Sequence, residues 1–349
     1  MPITTTAAVL LKHGGPDALE VRDDWTVRDP GPREVLVEVG AAGVNNTDLW
    51  TRQGAYGMPG DPDAEAGWLG PLDFPRVQGG DVAGVVVAAG DDVGAPLVGR
   101  PVLVDPALYR DGSAQAPPVG YLGSEVDGGF AGYVVVAADH VHDMTGSPLT
   151  VEELACLPVA YGTATRMLRR AEVSAGETVV VTGASGGVGV ALVQLAAARG
   201  ATVVAVTSAA KADAVTDIGA HHVVLRDRGD VAAQVREVAP EGVQVVADVV
   251  GGPGLAELLP LLTDDGRWVI AGAIAGPVVE LDLRRLYLHS LRLVGSSMHT
   301  REDFAALVEL ARAGDVRPPI AARHPLRDIH RAQEEFATAS HIGKIVLLP

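Results

Sequence analysis

Residues 179–208 read VVVTGASGGVGVALVQLAAARGATVVAVTS, and this unbroken unit of strand, glycine turn, helix and second strand decides the fold. Val179, Val180 and Val181 make a short apolar run. Gly183, Gly186, Gly187 and Gly189 turn the chain, and Val188, Leu192, Leu195 and Ala196 then recur at helical spacing. A buried parallel strand feeding a helix is the expected local structure. Glycine at 186 and 189 removes side chains that would block a pyrophosphate from the helix N-terminus, where free backbone N–H groups and the macrodipole favour negative charge. The strict G-x-G-x-x-G register fails at Ala184, so the two flanking strands carry as much of the reading as the glycines do. The unit is a candidate dinucleotide site.

The end of the second strand distinguishes the nucleotide. An acidic residue there, about 20 residues past the glycines, would accept the ribose 2′-hydroxyl of NAD. Residues 206–211 read Val-Thr-Ser-Ala-Ala-Lys instead, so Ser208 and Lys211 offer a hydroxyl and a cation where a 2′-phosphate would sit, and NADPH is the expected cofactor. Lys211 also reads as the plain start of a solvated helix. Its weight comes from rarity, since Lys12, Lys211 and Lys344 are the only lysines among 27 lysines and arginines. Arg226, after the run Val223-Val224-Leu225, is a second candidate for the phosphate and equally a surface residue.

A chain of 349 residues has room for two domains of ordinary size, and its 48% hydrophobic content suffices for sizeable cores. Aromatic residues are few, and Ala, Val and Leu carry the apolar content, which suits parallel sheets covered by helices. A net charge of −17 opposes phosphate backbones and acidic membrane surfaces, so neither nucleic acid nor a membrane is an expected partner. Cys156 is the single cysteine, which excludes an intrachain disulfide and a thiolate zinc cluster. The opening residues MPITTTAAVLLKHGG lack a basic leader ahead of a long apolar run, and the cytoplasm is the expected compartment.

The chain changes character near residue 147. Residues 1–147 carry Gly/Pro punctuation and short β patterns at 35–39, 82–87, 101–104 and 132–136, which predicts an irregular β domain. From 148 to 317 helical and apolar strand patterns alternate, with a helix over 151–171 and strands near 178, 202, 222, 244, 267 and 292, which predicts a doubly wound α/β domain. The tail, with a helix over 329–339 and a last strand at 344–348, is too short to be a domain and is expected to return to the first one. Segments 57–75 and 109–126 read as insertions over a site or at an edge.

Several segments, in order, resemble the medium-chain dehydrogenase/reductase superfamily and its zinc-free NADPH quinone oxidoreductase branch. They are Lys12-His13-Gly14-Gly15-Pro16, Gly43-Val44-Asn45 with Asp48, Gly54-Ala55-Tyr56, the run 79–84, Gly128-Gly129-Phe130-Ala131, the glycine turn, 206–211 and Gly343-Lys344-Ile345-Val346. The resemblance spans essentially the whole chain. It implies an α/β fold with a GroES-like irregular β domain over 1–147, completed by 318–349, and a Rossmann doubly wound parallel sheet over 148–317, with the nicotinamide in a cleft between them. It also implies a homodimer joined edge to edge through the last Rossmann strand at 291–296, where Arg292 tempers an apolar edge.

In the zinc-dependent alcohol dehydrogenases of this superfamily, a Cys-His-Thr-Asp and a Gly-His-Glu segment supply ligands for a catalytic ion. The residues at those places are Asn45-Asn46-Thr47-Asp48 and Gly79-Gly80-Asp81. A tetrahedral catalytic site needs three nitrogen, sulfur or carboxylate ligands and an open position, so no metal is expected. His140 and His142 form an H-x-H pair that reads as structural or surface. Without a Lewis acid, polarising an alcohol or aldehyde oxygen is difficult. The expected reaction is hydride transfer to an acceptor already electrophilic, a quinone or an α,β-unsaturated carbonyl.

By resemblance, Tyr56 hydrogen-bonds or protonates that carbonyl; a phenol of pKa about 10 stays protonated at neutral pH and donates. The plain alternative is a tyrosine lining an apolar cleft. Asn45 would orient the nicotinamide ribose or the acceptor carbonyl. Thr47 stands at the proton-relay hydroxyl of the alcohol dehydrogenases or merely holds a turn, and Asp48 reads as a helix cap. Gly186, Gly187 and Val188 would face the pyrophosphate, Ser208, Lys211 and Arg226 the adenosine phosphate, Ala273 and Ile274 the nicotinamide, and Thr163 and Thr165 its carboxamide. Lys344 would reach the cleft or simply start a strand. Three functions stay open: an NADPH-dependent quinone or enone reductase, an enoyl-thioester reductase of fatty-acid or polyketide type, and a non-catalytic NADPH-binding protein. A thioester enzyme wants a basic groove for its carrier's phosphates, which the −17 charge disfavours.

Overall fold

In the computed structural model, which describes residues 3–57, 66–93 and 96–349, the chain forms two units: Met1–Val159 with His299–Pro349, and Ala160–Met298. The second unit is built from the apolar runs of the sequence. Thr178–Val181, Thr202–Thr207, His222–Leu225, Val243–Asp248, Leu262–Ile270 and Arg292–Gly295 form one six-stranded sheet in which every pair is parallel. Numbered along the chain, the strands lie in the order 3-2-1-4-5-6, the Rossmann order, and the order reverses beside Thr178–Val181, where the glycine turn begins. Val179, Val180, Val181, Val203 and Val204 are all buried, as strands covered on both faces require.

The glycines of the turn are not equivalent. Gly183 takes the left-handed conformation (φ 59°), and a β-carbon at Gly189 would lie 2.1 Å from its carbonyl oxygen. A β-carbon at Gly186 would meet nothing nearer than 3.6 Å. The helix Gly187–Ala198 can therefore seat against the turn only because residue 189 has no side chain, whereas residue 186 leaves open space before the helix N-terminus. Gly189 therefore has a packing duty that the expectation of a cleared pyrophosphate site does not include.

In the first unit, the strand Glu34–Gly43 is antiparallel to Asp81–Ala89 along one edge and to Tyr133–Ala137 and Lys344–Leu348 along the other. Pro101–Val104 and Val141–Asp143 extend the sheet on one side, and Ile320–Pro325, parallel to Lys344–Leu348, on the other. A smaller sheet of Leu19–Val27, Ile3–Leu10 and Arg76–Val77 shares its core through Val9, Val35, Val82, Phe130, Ile329 and Ile345.

Two expectations differ from this arrangement. The helix over 151–171 is two helices, Val151–Leu154 and Pro158–Arg170, because proline has no N–H to continue the first and suits the start of the second. The units divide at 159/160 and 298/299 rather than at 147/148 and 317/318. The helix Arg301–Ala313 belongs to the first unit: Ser147 Oγ donates to the Ala311 carbonyl (2.8 Å), the Arg312 guanidinium to that of Asp143 (2.8 and 3.0 Å), and the Glu302 N–H to that of Ala114 (3.1 Å). Helical periodicity reveals an apolar face but not which core receives it. Of segment 57–75, residues 58–65 lie outside the described residues. Among the described residues, no helix is long and apolar enough to cross a membrane.

Gly189→Ala is expected to lower unfolding free energy by ~1–3 kcal/mol through overpacking. Gly186→Ala should cost less than about 1 kcal/mol. Urea titrations of the two variants against the parent chain measure the contrast.

Candidate functional site

In the first unit, the corner between Glu34–Gly43 and the helix Asn46–Gln53 is held by a buried ammonium group. Lys344 is 2% exposed, and its Nζ lies 2.8 Å from the Val44 carbonyl, 2.5 Å from Asn45 Oδ1 and 2.8 Å from Asp81 Oδ2. A lysine has three donors, and three acceptors meet them. Asn45 Nδ2 donates to Asp81 Oδ2 (2.8 Å) and to the Gly43 carbonyl (3.3 Å), and the Val159 N–H donates to Asp81 Oδ1 (2.7 Å). Lys344, expected on the cofactor, is thus committed to the protein frame. Asn45, expected on a ribose or an acceptor, spends both amide hydrogens there too.

Gly80 is the second departure from a metal site. A β-carbon at this position would lie 2.2 Å from both the ring and the hydroxyl of Tyr121, which is buried. The phenol fills the volume into which a histidine at residue 80 would project. With Tyr121 in that volume, the Asn45 amide committed and Asp81 paired to Lys344, these residues do not fit a tetrahedral zinc ion. Among the described residues, no group of three His, Cys, Asp or Glu side chains is placed to hold a metal. His140 and His142 serve the core: His140 Nδ1 pairs with the Asp105 carbonyl (3.1 Å), and the His142 ring lies 5.1 Å from that of Phe304, where burial lowers its pKa.

Tyr56 follows the left-handed Gly54 that ends the helix Asn46–Gln53. Its hydroxyl donates to Thr47 Oγ1 (2.8 Å), and its ring meets Trp50 edge-on at 5.5 Å. Burial pushes the phenol up to about 12, against the opposing effect of the Thr47 hydrogen bond, so it is a proton donor throughout the physiological range. Asp48 is the helix cap expected of it, its Oδ2 accepting from the Asn45 N–H at 2.7 Å. Burial raises its pKa to about 7, and the Asn45 N–H and the Lys344 charge pull the other way.

In the second unit, Gly186, Gly187 and Val188 are half-buried at the start of the helix Gly187–Ala198. Ser208 follows the strand Thr202–Thr207, and Lys211 lies one short turn later with Nζ 3.4 Å from Ser185 Oγ. Burial lowers the Lys211 pKa, and the charge of Arg226 lowers it further. The two cations are thus close enough for each to oppose the other's charge. An acid stands nearby as well: Asp227 Oδ1 accepts from the Ala209 N–H (2.9 Å). Ala273 and Ile274 sit in the loop after Leu262–Ile270, with Ile274 62% exposed, while Thr163 and Thr165 are buried in the helix Pro158–Arg170. Asn45, Thr47, Tyr56 and Lys344 thus gather in one unit, and the glycine turn, Ser208, Lys211 and Arg226 in the other. The sequence places Asp81 only among the missing metal ligands, and nothing in it singles out Tyr121. Gly80 signalled a vacancy, but not which distant side chain fills it.

A sequence profile described as "Alcohol dehydrogenase GroES-like domain" matches residues 31–146, and one described as "Zinc-binding dehydrogenase" matches residues 187–313. The quinone oxidoreductase of Lama guanicoe is 31% identical over 347 residues, spanning 97% of this chain and 95% of its own. The chain belongs to the medium-chain dehydrogenase/reductase superfamily. It is an oxidoreductase of a pyridine-nucleotide-dependent family, with a Rossmann sheet and a GroES-like β domain. Its relatives differ in reaction: the NAD-dependent alcohol dehydrogenase of Saccharolobus solfataricus is 29% identical over 356 residues, spanning 98% of this chain and 99% of its own. Among solved structures, one from Sinorhizobium meliloti 1021, provisionally described as an alcohol dehydrogenase, is 45% identical with a TM-score of 0.96, covering 100% of this chain and 98% of that one. The 2-octenoyl-CoA carboxylase reductase CinF, solved with NADP and 2-octenoyl-CoA, is 27% identical with a TM-score of 0.85, covering 99% and 88%.

For this oxidoreductase, the raised pKa of Asp48 has a consequence for stability. The folded chain holds a proton that the unfolded chain releases near pH 4, so this contribution is present at low pH and is lost as pH rises through about 7. Urea midpoints of the parent chain should therefore fall between pH 5 and 8 relative to those of Asp48→Asn, in which this group no longer titrates.

Proposed function

We propose that the chain is an NADPH-dependent, metal-independent reductase that transfers hydride to a quinone or an α,β-unsaturated carbonyl. The observation that carries this reading is the Tyr56–Thr47 hydroxyl pair, a phenol kept protonated by burial, in a unit where Asn45 is committed to the frame, Tyr121 fills the space at Gly80 and Lys344 pairs with Asp81. Without a Lewis acid the acceptor must be electrophilic by itself. The reduced dinucleotide supplies the hydride. Tyr56 gives its hydrogen bond, and then its proton, to the oxygen on which negative charge develops. Thr47 holds the phenol oxygen in place until the acceptor displaces it as hydrogen-bond partner.

Support for NADPH comes from Ser208, Lys211 and Arg226 around the strand end and from the NADP complex of CinF. NADPH should bind at least about tenfold more tightly than NADH, roughly 1.4 kcal/mol, a modest demand on one charge-assisted contact. Lys211→Ala should remove most of that preference. Fluorescence titration decides, and equal affinities for the two nucleotides in the parent chain would overturn this reading.

Tyr56→Phe distinguishes the acceptors. An enone leaves an enolate that a phenol stabilises, so kcat should fall roughly ten- to a thousandfold, whereas a quinone leaves an intrinsically stable anion and the loss should be small. Both assays are run in chelator; activity abolished there and restored by zinc would contradict metal independence. A second reading, an enoyl-thioester reductase, is favoured by the 2-octenoyl-CoA bound to CinF, and turnover of enoyl thioesters above simple enones would select it.

The same reading includes a homodimer. Arg292–Gly295 is one of the two edge strands of the parallel sheet, and Val278, Leu283, Tyr287, Leu288 and Leu293 are exposed close to it in sequence. Sedimentation at micromolar concentration should give twice the chain mass, and Leu293→Asp should shift it towards the monomer.

A further inference from the structure

The carboxylate of Asp248 joins three neighbouring strands at the end of the parallel sheet that carries the glycine turn. Asp248 ends the strand Val243–Asp248 and is 2% exposed. Its Oδ1 accepts from Thr182 Oγ1 (2.5 Å), the Val250 N–H (2.8 Å) and the Gly251 N–H (3.1 Å), and its Oδ2 from Trp268 Nε1 (3.2 Å). Thr182 directly precedes the glycine turn, and its hydroxyl also accepts from the Val249 N–H at 3.2 Å. Trp268, fully buried, lies on the next strand, Leu262–Ile270. Neutral donors supply all four of these hydrogen bonds, and the acceptor's charge strengthens each of them.

The loop that Asp248 shapes is packed from both flanks. Gly251 and Gly252 are left-handed (φ 64° and 67°). The Ala275 N–H donates to the Val250 carbonyl (2.8 Å) and the Gly252 N–H to that of Gly276 (3.0 Å). A β-carbon at Gly272 would lie 2.7 Å from the Val249 carbonyl oxygen, so segments 249–252 and 271–276 touch backbone to backbone. On the other flank, a β-carbon at Gly183 would lie 3.1 Å from the side chains of both Val249 and Val250. The carboxylate thereby sets the separation between the glycine turn and the loop carrying Ala273 and Ile274. Ser208, Lys211 and Arg226 follow the strands Thr202–Thr207 and His222–Leu225, on the opposite side of Thr178–Val181 from Asp248.

We propose that Asp248 is a positioning residue for the nicotinamide half of the dinucleotide, acting through segments 249–252 and 271–276. The proposal rests on the nucleotide-binding reading above and is independent of the acceptor. Asparagine at 248 keeps the shape but turns one of the two acceptor oxygens into a donor, so whichever way the amide faces, either Trp268 Nε1 or the backbone N–H groups of the loop meet a donor instead of an acceptor.

The test compares NADPH with 2′,5′-ADP, which carries only the adenosine half, on Asp248→Asn, Thr182→Val and Thr182→Ser. Asp248→Asn should weaken NADPH by at least about tenfold and 2′,5′-ADP by less than about twofold; Thr182→Val should act the same way by about threefold, and Thr182→Ser, which keeps the hydroxyl, should match the parent chain. Equal losses for both ligands, or no loss, would overturn the proposal. If Asp248→Asn does not fold, the Thr182→Val and Thr182→Ser pair decides by the same criterion. A parent chain that binds neither ligand would instead overturn the nucleotide-binding reading.

Discussion

The buried ion pair between Lys344 and Asp81 is the interaction on which the first unit depends. It joins the last strand of the chain to the Asn45 corner, and Asp81 passes the connection on to the Val159 N–H. Removing one partner of such a pair costs about 3–5 kcal/mol, because the other charge is left buried and unpaired. The helix that carries Thr47 and Asp48 starts at this corner, and Tyr56 follows its end. The geometry of the phenol and hydroxyl is therefore inherited from a contact whose partners are far apart in sequence.

The second unit holds its site by a different means. Its turn is shaped by close backbone approach at Gly183 and Gly189, and its loops by a carboxylate that accepts from neutral donors. A cation also serves the frame there, since the half-buried Arg267 pairs with Glu177 (2.6 Å) and donates to the Ala171 carbonyl (3.0 Å). Both units thus use a charge pair in their frame, and the second adds Lys211 and Arg226 near the strand ends.

Much of this was legible in the sequence. Alternating apolar runs from Val179 onward mark the six strands of the parallel sheet, because each strand and helix signals itself locally. The roles of Asn45 and Lys344 were not legible, since nothing in a local pattern says that two polar residues about three hundred positions apart will satisfy each other. The helix Arg301–Ala313 falls inside 148–317 but groups with the first unit, through contacts that are equally distant in sequence. The duty of Gly189 to the backbone of its own turn is likewise a contact that no glycine pattern announces. Tertiary contact, rather than local propensity, decided each of these cases.

The close fit of Tyr121 against Gly80 couples two positions in descent. With the phenol in place, a histidine arising at 80 would begin its side chain 2.2 Å from the phenol ring, and loss of the phenol alone would open a buried void beside a glycine. Either change made first costs stability, one by overlap and the other by a cavity, so a histidine at 80 calls for a smaller residue at 121 as well.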